Sequence, residues 1–250
     1  MTEEIDFVKY KEHGAYHWQN YFGRVFKVNS FLRARYDIVI QLLREGGIKK
    51  NSELLEVGCG DGALSALIYK RFSCNLVGLE PSEVGVEFCK QMFAEYKYSG
   101  TFKVSKGYSF DYPENHFDYV VLADVIEHLQ QPDLMLAEIK RVLKPGGHVV
   151  ITTPIRISEN PEDPMHVQEF FSSELRQLCD NFFGVPEKAR YTHPVVWREL
   201  YTHGNKKIRS LIRFYCRVMD KIFGKNVFLK AEDNSKWKNF SMQSLLYTKN

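Results

Sequence analysis

Glu53-Leu54-Leu55-Glu56-Val57-Gly58-Cys59-Gly60-Asp61-Gly62 decides the fold of this chain. Leu54 to Val57 is a short apolar run of the kind a buried parallel strand shows. It breaks into three glycines at alternate positions. Ala63-Leu64-Ser65-Ala66-Leu67-Ile68-Tyr69-Lys70 then follows with helical composition and no breaker. Strand, glycine turn and helix place a ligand over the carboxyl end of the strand, at the start of the helix. The spacing narrows the ligand. A dinucleotide asks for G-x-G-x-x-G, which clears a path for a pyrophosphate. Here the glycines fall at 58, 60 and 62, with Glu56 before them and Asp61 among them. Two carboxylates at that turn repel a diphosphate and suit a ligand that carries positive groups.

Outward from this turn, Asn75-Leu76-Val77-Gly78-Leu79-Glu80 reads as a second strand. Its terminal acid falls about 20 residues past the glycines, where a Rossmann-like fold puts the carboxylate that meets ribose hydroxyls. Ser82 suits the N-cap of a helix carrying Val86, Cys89 and Phe93. Phe102–Val104, Tyr119–Ala123 and His148–Thr153 read as further strands, with two antiparallel strands near Glu187–Tyr191 and Ser244–Thr248. Asp133 is expected to N-cap a helix carrying Leu136, Ile139 and Leu143, which Lys144-Pro145-Gly146-Gly147 closes. The expected fold is α/β: a Rossmann-like, seven-stranded, mostly parallel sheet with helices on both faces. One domain spans 1–250, with a cap at 1–50, a cofactor-binding core at 51–184, and C-terminal strands with a helical insertion at 185–250. The cap is rich in aromatic residues, Phe26 among them, and Leu32, Tyr36, Val39, Ile40 and Leu43 give it a helix that ends at Gly46-Gly47.

The run from Glu56 to Gly62 resembles motif I, E-x-G-x-G-x-G, of the class I S-adenosylmethionine-dependent methyltransferases. Glu80-Pro81-Ser82 looks like their motif II. Tyr112-Pro113-Glu114-Asn115-His116-Phe117-Asp118, the run from Ala123 to Pro154, and Met165 to Leu175 resemble later segments of small-molecule members. The resemblance implies S-adenosylmethionine as cofactor, held by Glu56, Gly58, Cys59, Gly60, Asp61 and Gly62, with Glu80, Pro81 and Ser82 at the ribose and Ala123 at the end of the fourth strand. Where many members place an acid for adenine, this chain has Lys106 or Gly107, so that contact falls to main chain, Tyr108 and Ser109. Tyr16, His17 and Trp18 are expected to cap the cofactor and line the acceptor pocket, excluding water. They read equally as a helical layer on the sheet edge.

Chemistry is expected where Asp124-Val125-Ile126-Glu127-His128 leaves the fourth strand. Asp124 and His128 are four apart, so a helical turn would give them a common face beside Glu127. His128 is the first choice of general base, oriented by Asp124 or Glu127, and His166 the second. The acceptor expected first is a sugar, a nucleotide-linked glycan precursor or another polar small molecule, methylated on oxygen without a metal. The set Asp124, Glu127, His128 and His166 also resembles the divalent-ion site of small-RNA 2′-O-methyltransferases. A quinone or lipid acceptor, and a non-catalytic cofactor-binding regulator, complete the alternatives. The loop Pro154–Pro164 lies where an acceptor would enter.

Composition narrows these further. With 44% hydrophobic and 26% charged residues the chain reads as globular, and a net charge of +3 gives no case for nucleic acid. Five cysteines, an odd number without a C-x-x-C pair, fit a reducing compartment rather than disulfides or zinc. The acidic start Met1–Asp6 has no secretory apolar core, and no run approaches a membrane span, so a cytoplasmic location is expected. Residues 206–223 form a basic amphipathic helix. Its apolar face is expected against its own domain or a second subunit, with a membrane surface as the alternative.

Overall fold

The computed structural model describes residues 9–24, 27–157, 161, 163, 165–203, 205–229 and 239–250. Met1–Asp6, Phe26 and five positions of the 154–164 loop lie outside the described residues. The strands are β1 (Glu53–Val57), β2 (Asn75–Glu80), β3 (Thr101–Val104), β4 (Phe117–Ala123), β5 (Leu143–Pro154), β6 (Lys188–Pro194) and β7 (Phe240–Thr248). They form one sheet in the order β3-β2-β1-β4-β5-β7-β6. Neighbours among β1 to β5 pair in parallel, while β7 runs antiparallel to both β5 and β6. The chain steps from β1 outward to β3 and then returns to β4 on the other side of β1. The carboxyl ends of β1 and β4 therefore flank the switch point where α/β sheets bind ligands.

Around the sheet lie α1 (Lys9–His13), α2 (Tyr16–Phe22), α3 (Ser30–Glu45), α4 (Ala63–Phe72), α5 (Glu83–Tyr96), α6 (Pro132–Val142), α7 (Ser172–Phe183), α8 (Val195–Thr202) and α9 (Lys206–Lys221). Strand periodicity explains why the β1 run is apolar without alternation. Leu54 packs with α3, α4 and α5, whereas Leu55 and Val57 pack with α6 and α7 on the opposite face. Leu54 and Leu55 are both fully buried, and each contributes about 2 kcal/mol on that account. Local sequence sets several helix starts. The Asn29 side chain accepts the Phe31 and Leu32 N–H groups of α3, and Ser82 accepts that of Gly85 in α5.

Two local expectations change. Helix α6 begins at Pro132, with Gln131 as N-cap and no side-chain cap, so Asp133 lies inside the first turn; proline suits that turn because it has no N–H to leave unpaired. Lys144 to Gly147 does not close the helix but belongs to β5, where the register with β4 shifts and Gly146 donates to the Lys249 carbonyl at 2.7 Å.

The larger departure is α9, which packs with its cationic side inward. Arg213 Nε donates to the Tyr201 carbonyl and Arg217 Nε to that of Val28, each at 3.0 Å, and Arg209 donates to the Thr202 carbonyl at 3.3 Å. Asp220 pairs with Arg33 at 2.7 Å, and Cys216 is buried with Tyr201 and Phe228. The carbonyls of Tyr201 and Thr202 end α8 and have no partner within that helix, and guanidinium groups supply the donors. Ile212 packs on the cluster around Cys216, while Ile208, Leu211, Phe214 and Tyr215 of α9 face solvent.

Candidate active site

A cavity of about 750 Å³ opens at the carboxyl ends of β1, β2 and β4. One end is built largely from backbone. Gly58 and Gly60 have φ of +74° and +57°, in the left-handed region that glycine tolerates. A Cβ on Gly58 would lie 2.4 Å from the Val125 side chain, and one on Gly60 2.3 Å from the Tyr10 hydroxyl. Glu80, at the tip of β2, accepts the N–H groups of Gly60 at 3.0 Å and Ser82 at 3.1 Å. Burial raises its pKa in spite of those bonds. Glu56 accepts the Ser65 hydroxyl, and burial pushes its pKa up to about 8. Cys59, Pro81, Ser82, Lys106, Gly107 and Tyr108 complete this end.

Two carboxylates and a glycine turn fit S-adenosylmethionine by their chemistry. Glu56 can ionise beside a cationic ligand, which would favour its charged form, and Glu80 keeps lone pairs for hydroxyl groups beyond its two backbone bonds.

Four expected contacts fall elsewhere. Asp61, 1% exposed, does not line the cavity. Its carboxylate accepts the His17 N–H at 2.9 Å, and its carbonyl accepts the Trp18 indole N–H at 2.6 Å. Asp61 thus pins the N-terminal cap to the glycine turn. Trp18 packs away from the cavity against Phe22 and Tyr96, while Tyr16 and His17 do line it. Gly62 caps α4 against Cys89, and Ser109 is also absent from the wall.

The other end is built from side chains. Ala123, Asp124, Glu127, His128 and His166 all line the cavity, but not in the expected arrangement. Asp124 has φ +56° and ends the strand, and a 3₁₀ turn covers only Ile126–His128. Asp124 therefore shares no helical face with His128. It pairs with Arg35 at 2.6 Å and accepts the Thr152 hydroxyl at 3.3 Å. Nor does Glu127 orient His128. Glu127 is fully buried, accepts the Thr153 hydroxyl at 2.9 Å, and its Oε1 has no hydrogen-bond partner among the described residues. Burial raises its pKa.

His128 is held instead by the Met165 carbonyl, 2.9 Å from Nδ1. A carbonyl only accepts, so Nδ1 carries the hydrogen and Nε2 is the basic nitrogen. Burial lowers the pKa of His128, which keeps the ring neutral near pH 7. His166 Nδ1 meets the buried Glu169 carboxylate at 2.6 Å, and the two imidazoles stand edge to face at 4.9 Å. Glu127, His128 and His166 can each bring one ligand atom within 4.8 Å of the others, a set that could hold a divalent ion. Asp124 is outside that set.

Tyr10, Arg35, Tyr36 and Asp163 also line the cavity, and the sequence reading placed none of them there. Arg35 carried a signal: it is three residues after Leu32 on a helix whose neighbours at 32, 36 and 39 turn inward. A cation on that stripe needs an anionic partner.

Residues 55–151 match the methyltransferase domain family. The chain is 29% identical over 157 residues to phosphoethanolamine N-methyltransferase 3 of Arabidopsis thaliana, covering 63% of this chain and 31% of that protein. It is 28% identical over 183 residues to sterol 24-C-methyltransferase of Saccharomyces cerevisiae, covering 72% and 47%. The chain thus spans between about a third and a half of these curated relatives. Haemonchus contortus phosphoethanolamine N-methyltransferase 2, solved with S-adenosyl-L-methionine, shares the fold with a TM-score of 0.66 at 18% identity, over 98% of this chain and 59% of that one. Residues 55–151 are thus similar to the methyltransferase domain family, and the fold is shared with a methyltransferase solved with S-adenosyl-L-methionine.

Proposed function

We propose that the chain transfers the methyl group of S-adenosylmethionine to a hydroxyl oxygen of a small polar acceptor, with His128 as general base and a sugar as the first acceptor class. One observation carries this reading. His128, a cavity-lining residue in the 3₁₀ turn that follows β4, donates through Nδ1 to the Met165 carbonyl, which leaves Nε2 as the basic nitrogen. When bound, S-adenosylmethionine supplies a methyl group on a sulfonium leaving group. Transfer to the acceptor oxygen would release the thioether, and His128 would take the hydroxyl proton. Positioning of the acceptor by Tyr16, His17 and Tyr36 supplies much of the remaining rate.

The basic C-terminal helix gives no phosphate handle here, because α9 contributes nothing to the cavity wall. That favours a plain sugar over a nucleotide-linked one. Five free, buried cysteines support a reducing compartment such as the cytoplasm.

A second reading rests on the cluster of Glu127, His128 and His166. A divalent ion there would lower the pKa of a bound acceptor hydroxyl, and His128 would be a ligand rather than a base.

One experiment tests both. Release of S-adenosylhomocysteine is followed over a panel of sugars, phosphoethanolamine and other amines, with and without chelator. We expect a sugar to score, and His128→Ala to lower its turnover by about 10²- to 10⁴-fold with cofactor affinity unchanged. Activity lost in chelator would select the metal reading. Turnover of amines alone would overturn the hydroxyl.

A further inference from the structure

The outward face of α9 is the feature that methyl transfer does not use. Ile208, Leu211, Tyr215 and Ile222 recur at helical spacing, and their exposures are 55%, 67%, 44% and 63%. Phe223, just past the helix, is 62% exposed. On the preceding helix Val196 and Leu200 are exposed too, and Trp197 stacks on Tyr215 at 5.8 Å, joining α8 to the same surface. Aliphatic and aromatic groups so placed mark an interaction site. The inward arginines already explain how the helix is fastened to its domain, so burying this stripe is not needed for that.

The charges around the stripe select its partner. Lys206 and Lys207 are exposed at one end of α9, and Lys225 at the other, with Lys221 half-buried beside it. The helix has one acid, Asp220, which is buried and paired with Arg33. The exposed face of α9 is therefore apolar with a cationic rim, and the acid of α8, Glu199, lies beside Arg198 and His203. A second copy of the same face would set lysines near lysines. An anionic lipid surface matches both features, since acyl chains take up the apolar stripe and lipid phosphates meet the rim. No helix among the described residues is long and apolar enough to cross a membrane, so this contact would be peripheral.

We propose that α9 seats the protein on an anionic membrane surface, with Ile208, Leu211, Tyr215 and Ile222 in the interfacial layer and Lys206, Lys207 and Lys225 on lipid phosphates.

The test is co-sedimentation of the full chain with vesicles of phosphatidylcholine alone or of an equimolar mixture with phosphatidylglycerol. Sedimentation velocity in parallel reports the oligomeric state without lipid. Binding to the anionic vesicles is expected, falling about fivefold for each lysine removed and more steeply for Leu211→Glu with Ile222→Glu. Because α9 is not part of the cavity wall, these variants should keep their affinity for S-adenosylmethionine, which also verifies that they fold. No preference for anionic vesicles would overturn the proposal. So would a stable dimer that Leu211→Glu separates while vesicle binding stays absent.

Discussion

The two ends of the cavity are built by different means. At the cofactor end, Glu56 to Gly60 and Glu80 to Ser82 lie within one short stretch of chain, and the turn's conformation does most of the shaping. At the other end, Arg35, Asp124, Glu127, His128 and His166 come from three distant segments, and all but His166, which Glu169 holds from three residues on, are aimed by partners far away in sequence. Local backbone makes a site that is readable but intolerant of added atoms. Long-range side-chain pairing makes one that is less readable and sensitive to the loss of a single partner.

The hardest test of this contrast is Gly60→Ala. The new methyl would sit 2.3 Å from the Tyr10 hydroxyl at a φ of +57°, and we expect calorimetry to show cofactor affinity reduced by at least about a hundredfold. Adding Tyr10→Phe should recover part of the loss; full recovery would mean that backbone strain contributes nothing.

A smaller effect is expected from Asp124→Ala, which leaves Arg35 without its carboxylate. The pair is 15% and 23% exposed, so the loss should be about 2–3 kcal/mol in denaturant melts, below the figure for full burial. Arg35→Met in that background should restore at least half of it. If the double variant is no more stable than the single one, Arg35 and Asp124 are not coupled as described.

The mildest test uses pH. Glu56, raised to about 8 by burial, is protonated at neutrality, and a cationic ligand favours its charged form. Binding then releases a proton below that value, so affinity should rise with pH, by at most about tenfold per unit, and level off above pH 8. Glu56→Gln should flatten the profile. An affinity independent of pH in the parent chain would remove Glu56 from the cation's surroundings.

The expected seven-stranded sheet is the one observed, because buried parallel strands and their caps are written in short-range periodicity. Glu80 sits where the reading of β2 put it, since strand length and the following N-cap fix its place. Asp124 departs from the expected shared face with His128 because four-residue spacing gives one only on a helical backbone, and its φ of +56° breaks that condition. Asp61 shows why a site is harder to read than a strand: charge in a glycine turn looks the same whether it meets a cofactor or, as with His17 and Trp18, a neighbouring segment.

The sequence by itself determined the sheet, the glycine turn and the acid at the tip of β2, while the cofactor class came from the likeness of that turn to a known motif. The first three depend on hydrophobic periodicity and on conformations that few residues adopt. Only the tertiary structure decided that Met165 aims His128, that Asp124 belongs to Arg35, and that α9 turns its arginines inward. Each of those choices satisfies a donor or acceptor shielded from water through a contact between separate elements, and no local pattern records which partner that is.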